Sequence, residues 1–184
     1  MKKVTWLCLP LWVIVAGCKP TPPVNGRVVP EAHLSAGQLA QSDPNRMATL
    51  EIRDNLAALY TLMDKLYRRN PRQWSKSGAN SREAAEAQVR DAIDRRKPLP
   101  TLGDLRDIKA MQRAFDADFQ GDRVAALIYG TADMLVTAHG GRQRLYLFDG
   151  LDPQRVYNAA RNVEIAMWKL AQSKDAHGQP LLVS

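Results

Sequence analysis

Cysteine is nearly missing from this chain: there are two in 184 residues, Cys8 and Cys18, both close to the amino end. Beyond residue 18 there is therefore no disulfide framework and no thiol to act as a nucleophile. Histidine is almost as scarce, and His33, His139 and His177 lie too far apart for the short spacings of a zinc site. No stretch reaches the roughly 20 apolar residues that a membrane-crossing helix needs. The two most apolar ones, Val4 to Val15 and Val124 to Ala138, are shorter; Pro10 interrupts the first and Asp133 sits in the second. A Gly-x-Ser-x-Gly elbow, a phosphate-cradling glycine loop and a His-Glu-x-x-His helix are also missing. These gaps argue against an enzyme, and a hydrolase ranks third among the readings below.

What is present begins with Met1-Lys2-Lys3, the apolar run to Val15, and then Val15-Ala16-Gly17-Cys18. A basic start, a dozen apolar residues and small residues before a cleavage point make a secretory signal peptide. With cysteine closing the small residues, the segment resembles the lipobox of bacterial lipoproteins. That resemblance, confined to residues 1–18, implies cleavage before Cys18 and a diacylglycerol on its sulfur, with palmitate among the acyl chains. Cys8 would leave with the leader, making Cys18 the only cysteine of the mature chain. Two acyl chains suffice for stable anchoring, where one holds only marginally. Lys19, where aspartate tends to retain such proteins in the inner membrane, implies the outer membrane. The expected setting is thus the bacterial envelope, facing the periplasm, with the covalent lipid as the only non-protein group.

Residues 18–43 then read as a tether. Pro20, Pro22, Pro23 and Pro30, with Gly26 and Gly37, deny it a regular hydrogen-bond ladder. Residues 44–184 read as one mainly α domain, a bundle of about five helices. Asp43-Pro44 opens the first, whose stripe is Ile52, Leu56, Leu59, Met63 and Leu66, and Asn70-Pro71 ends it. Ser81 caps the second. Thr101 with Asp104 resembles a capping box opening the third, with Leu105, Ile108, Met111 or Gln112, Phe115 and Phe119 in line. Asp122 caps a fourth that is apolar almost all round and stops at Gly140-Gly141, so it is expected at the centre. Asp152-Pro153 opens the fifth, with Val156, Ala160, Val163, Met167 and Leu170 as its core stripe. Residues 145–148 and 181–183 are candidates for one short two-stranded pairing.

Basic side chains outnumber acidic ones 26 to 19, a formal charge of +7. Losing Lys2 and Lys3 with the leader would leave 24 against 19, or +5. The surplus is local: residues 65–97 hold ten basic and four acidic groups. Arg68, Arg69, Arg72, Trp74 and Lys76 are the candidates there for docking an anion, either an anionic lipid or an acidic envelope protein. Nucleic acid, which such a patch also attracts, is not expected at the periplasmic face. A solvated helix face with Trp74 as a lid over the bundle is the plainer reading.

Three further constellations are candidates for chemistry. Asp116-Ala117-Asp118-Phe119-Gln120-Gly121-Asp122 resembles the start of an EF-hand loop, with Asp116, Asp118 and Asp122 as cation ligands. Its twelfth position is Leu127 instead of a bidentate glutamate, so a turn capped by Asp122 is favoured over calcium. Asp133, with Tyr157, Arg161, Glu164 and Trp168 on a second stripe of the fifth helix, forms a ligand-pocket candidate. The plainer readings of Asp133 are a small and polar face that looks outward or lets a neighbouring helix approach closely, or alternatively a buried ion pair with Arg161. His139, Arg142 and Arg144 after the fourth helix are a weaker anion site, since cations there also answer the helix dipole. The reading favoured by all this is a lipid-anchored protein that binds another envelope component without catalysis. The runner-up is a small-ligand or ion-binding module.

Overall fold

The computed structural model describes residues 43–145 and 151–184, all within one compact unit. Cys18, the leader, nearly all of the tether and Tyr146 to Gly150 lie outside the described residues. Among the described residues there are six α-helices and no strand. They are α1 (Asp43–Arg69), α2 (Pro71–Trp74), α3 (Arg82–Asp94), α4 (Asp107–Arg113), α5 (Arg123–Ala138) and α6 (Pro153–Gln172). The mainly α bundle expected from the sequence is present. None of these helices is long and apolar enough to cross a membrane.

α5 is the central element. Fourteen of its sixteen residues are buried, because α1, α3, α4 and α6 all pack against it. Its start is fixed by Asp122, whose Oδ1 accepts from the Ala125 N–H at 2.9 Å. Gly130 is where α4 crosses it: a Cβ there would lie 2.2 Å from the backbone nitrogen of Met111. No larger residue permits that approach. α1 presents Ile52, Leu56, Leu59, Met63 and Leu66 to the core in the spacing the sequence shows. Tyr67 meets Asp122 at one end of α1 and Thr49 meets Leu145 at the other, so α1 runs antiparallel to α5.

The third helix differs from expectation. Thr101 lies in a 3₁₀ turn (Pro100–Leu102), Gly103 follows with φ +57°, and α4 begins only at Asp107 and ends at Arg113. Its first turn is capped from another helix, because Asp133 Oδ2 accepts the Asp107 N–H at 3.1 Å. Phe115 and Phe119 follow the helix end. The chain after Asn70 also departs from a plain stop, since Pro71 starts a further short turn of helix.

The carboxyl end docks by side chain. Asn70 donates from Nδ2 to the Val183 carbonyl at 2.9 Å and accepts the Val183 N–H on Oδ1 at 2.8 Å. Its amide thus substitutes for a backbone partner, and Leu182 is buried beside it. Leu181 bonds back to Ser173, after an isolated bridge between Lys174 and Pro180. Of the proposed extended pairing, residues 146–148 lie outside the described residues.

Candidate functional site

The buried carboxylate of α5 is organised by arginines other than the one anticipated. Asp133 takes two hydrogen bonds from Arg106, 3.0 Å from Nε and 2.9 Å from Nη2, with Arg96 at 3.4 Å. Arg161 is instead exposed on α6 and pairs with Glu164 on its own helix. The alternative of an Asp133–Arg161 pair is thus not what forms; a clamp of Arg106 and Arg96 holds the loops before α4 onto α5. Burial and the Asp133 charge raise the carboxyl pKa of neighbouring Asp107, which sits at φ +52°. Three partners, Arg106, Arg96 and the Asp107 N–H, with the strained Asp107 beside them, make this carboxylate a structural joint.

Tyr157 and Trp168 are 62 % and 65 % exposed, so the second stripe of α6 is not sandwiched between helices. Only Glu164 of the five pocket candidates lines a cavity with the core of the bundle.

The acidic loop is organised by guanidinium groups. Arg113 Nη1 lies 3.0 Å from Asp116 Oδ2 and 2.9 Å from Asp118 Oδ1. Arg123 donates to the carbonyls of Ala114 and Asp116, both at 2.8 Å. Asp122 turns away from this loop and accepts from the Tyr67 hydroxyl at 2.8 Å. The three carboxylates thus do not converge, and among the described residues no three acidic, histidine or cysteine side chains cluster as a metal site would require. Burial pushes the Asp122 carboxyl up to about 6, against the hydrogen bonds from Ala125 and Tyr67 that lower it. The same burial, with the Asp122 charge, pushes the Tyr67 phenol well up.

Much of the basic surplus is neutralised inside the domain. Arg68 pairs with Asp64, Arg82 with Asp64 and Glu83, and Arg95 with Asp91, with Lys97 also reaching Asp91. Arg69 donates to the carbonyl of Ser184, and Arg90 stacks 4.1 Å over the Tyr60 ring. Trp74 is half-buried against the core, as the plainer reading has it. Arg72 and Lys76, both exposed, are what remains of the charged docking candidates without an ion-pair partner among the described residues. His139 is buried and bonded to its own helix, so it forms no exposed anion site with Arg142 and Arg144.

A groove that the sequence did not reveal lies between α1 and α6, floored by α5. It encloses about 490 Å³, lined by Glu51, Asn55, Ala58, Leu59 and Leu62 of α1, by Thr131 and Leu135 of α5 with His139 at its end, and by Val156, Ala159, Ala160, Val163, Glu164 and Met167 of α6. This lies within the size range of small-molecule sites, and the lining is mostly apolar with a few polar groups. It exists because α6 rests on the bundle through few residues: of its twenty, only Ala159, Ala166 and Leu170 are buried. Of the stripe read from the sequence as core, Leu170 is buried, whereas Val156, Val163 and Met167 are half-exposed and Ala160 exposed groove wall. No protein-family model, curated protein or solved structure matches this chain. The chemistry of its own residues is thus the guide to function.

His139 is the most unusual member of the groove. Its Nδ1 lies 2.8 Å from the Leu135 carbonyl, which only accepts, so Nδ1 carries the proton. In the neutral ring Nε2 is then a bare acceptor, and it is buried with no hydrogen-bond partner among the described residues. Such unsatisfied groups are rare in folded interiors and cost free energy.

Proposed function

We propose that this chain is a lipid-anchored protein of the bacterial envelope whose helical domain works by binding a second component and not by catalysis. One observation carries the reading: Val15-Ala16-Gly17-Cys18 follows a basic, apolar leader, and Cys18 is the only cysteine downstream of it. A diacylglyceryl group there anchors the chain stably. Residues 18–43, rich in proline, hold the domain off the bilayer, facing the periplasm, with the outer membrane favoured by Lys19. Binding is supported by the character of the polar clusters, each of which is occupied in holding helices together, and by the open apolar groove. The test is metabolic labelling with palmitate. The parent chain is expected to take up label, and Cys18→Ala to take up none and to accumulate as precursor or soluble protein. Labelling of the variant equal to that of the parent would overturn the anchor.

A further inference from the structure

The groove between α1 and α6 has a consistent polarity. Two carboxylates line it, Glu51 and Glu164, and no lysine or arginine does. Glu164 is held by Arg161 on the exposed side of α6, while Glu51 has no ion-pair partner among the described residues. Thr131 already donates its hydroxyl hydrogen to the Leu127 carbonyl at 2.7 Å, so it faces other groups as an acceptor. The buried Nε2 of His139 is an acceptor too, and lacks a donor. Apart from the Asn55 amide, every polar group lining the groove asks for a hydrogen-bond donor.

The apolar part sets the rest of the ligand. Since α1 runs antiparallel to α5, Glu51 and Asn55 share one end of the groove with His139, and Leu62 shares the other with Thr131. Glu51 to Leu62 spans roughly 16 Å of helix at 1.5 Å per residue. Between those ends the walls are aliphatic. We propose that this groove is a binding site for a cationic amphiphile, an apolar chain or ring system ending in a protonated amine. The amine lies at the Glu51–His139 end, and the apolar body lies along Leu59, Leu62, Val163 and Met167. An anionic amphiphile would set its head group against the Glu51 carboxylate and the His139 lone pair, and a neutral one would leave the carboxylate uncompensated. The proposal rests on the reading that the domain works by binding, but not on the lipid anchor.

The test uses the full chain carrying Cys18→Ala, so that no attached lipid competes. Octylamine, octanol and octanoate, which share one chain and differ in head group, are titrated below their self-association concentrations. Binding is followed by calorimetry and by methyl chemical shifts of Leu59, Leu62, Val163 and Met167. Octylamine is expected to saturate at one per chain and to bind at least tenfold more tightly than octanol, with octanoate weakest. Ala160→Trp fills the groove from an exposed α6 position and should weaken octylamine at least tenfold. Glu51→Gln with Glu164→Gln should bring octylamine to within about threefold of octanol while leaving octanol unchanged. Both variants alter exposed residues, and a thermal melt matching the parent confirms their fold. Absence of saturable octylamine binding, equal binding of the three head groups, or indifference to Ala160→Trp would each overturn the proposal. None of these outcomes bears on Cys18 labelling, so the two readings fail separately.

Discussion

Asp122 and Asp133 are both buried carboxylates of the α5 region, yet their surroundings give them opposite tasks. Asp133 is compensated by arginines: removing it by Asp133→Ala leaves Arg106 and Arg96 facing each other and the first N–H of α4 without its acceptor. Because both arginines are about one-third exposed, water recovers part of the loss, and a cost of about 2–4 kcal/mol is expected in urea unfolding. A change below 1 kcal/mol would show that the clamp contributes little. Asp122 has hydrogen bonds and the charge of Lys76 for compensation, and burial still raises its pKa from 3.8 to about 6. The folded state therefore holds this proton more firmly than the unfolded chain does. Its favourable contribution is complete below pH 3.8 and is lost as pH rises through about 6. Asp122→Asn keeps an oxygen for the Ala125 cap and cannot ionise, since the Tyr67 hydroxyl can turn to accept. Relative to the parent, this variant should gain about 3 kcal/mol of stability between pH 4 and pH 7. A parent-minus-variant difference that stays flat over that range would remove the buried ionisation from the account.

Among elements, α4 shows where sequence reading stops. Thr101 and Asp104 carry the local signature of a helix start, but the helix begins only at Asp107, six residues after Thr101, where Asp133 of α5 supplies the cap. A cap donated across the fold leaves no mark in the neighbouring sequence. α5 was legible for the opposite reason, because burial on every side imposes apolar residues on every side. The stripe of α6 was legible as apolar but not as groove wall, since Val163 and Met167 look the same in a core as beside an opening. The pairing of Asp133 was likewise invisible, with Arg106 and Arg161 equally spaced from it to within a residue in opposite directions. Gly130 tests the crossing of α4 and α5. Gly130→Ala places a methyl group against the Met111 backbone, which has no rotamer to yield, and should cost about 3 kcal/mol. Gly140→Ala meets no atom within 4 Å and carries only the penalty of φ +75°, about 1–2 kcal/mol. Thermal melts of the two should differ in that order, and the reverse order would mean that α4 shifts freely.

For the molecule as a whole, net charge and local charge make different demands. The formal charge is +7, but most of the basic groups of residues 65–97 are matched by carboxylates, a ring or the chain terminus. Exposed pairs of this kind contribute about 0–1 kcal/mol each and are weakened by salt, so their larger effect is to quench the long-range field. Among the described residues, Lys65, Arg72 and Lys76 are the basic groups of this stretch left without a carboxylate, ring or terminus as partner, the last two placed in sequence on either side of the half-buried Trp74. If this face meets anionic phospholipid, the position of charge should matter more than its total. Arg72→Gln with Lys76→Gln and Arg95→Gln with Lys97→Gln each remove two positive charges, one pair unmatched and the other already facing Asp91. In the Cys18→Ala background, co-sedimentation with phosphatidylglycerol vesicles at low salt should fall at least tenfold for the first pair, since each cation near such a surface contributes about 1 kcal/mol. The second pair should fall less than threefold, because Arg95 and Lys97 are already engaged by Asp91 and contribute little direct contact with lipid phosphate. Equal losses for the two pairs would show that only the total charge is felt, which would return Arg72, Trp74 and Lys76 to the role of a solvated helix face.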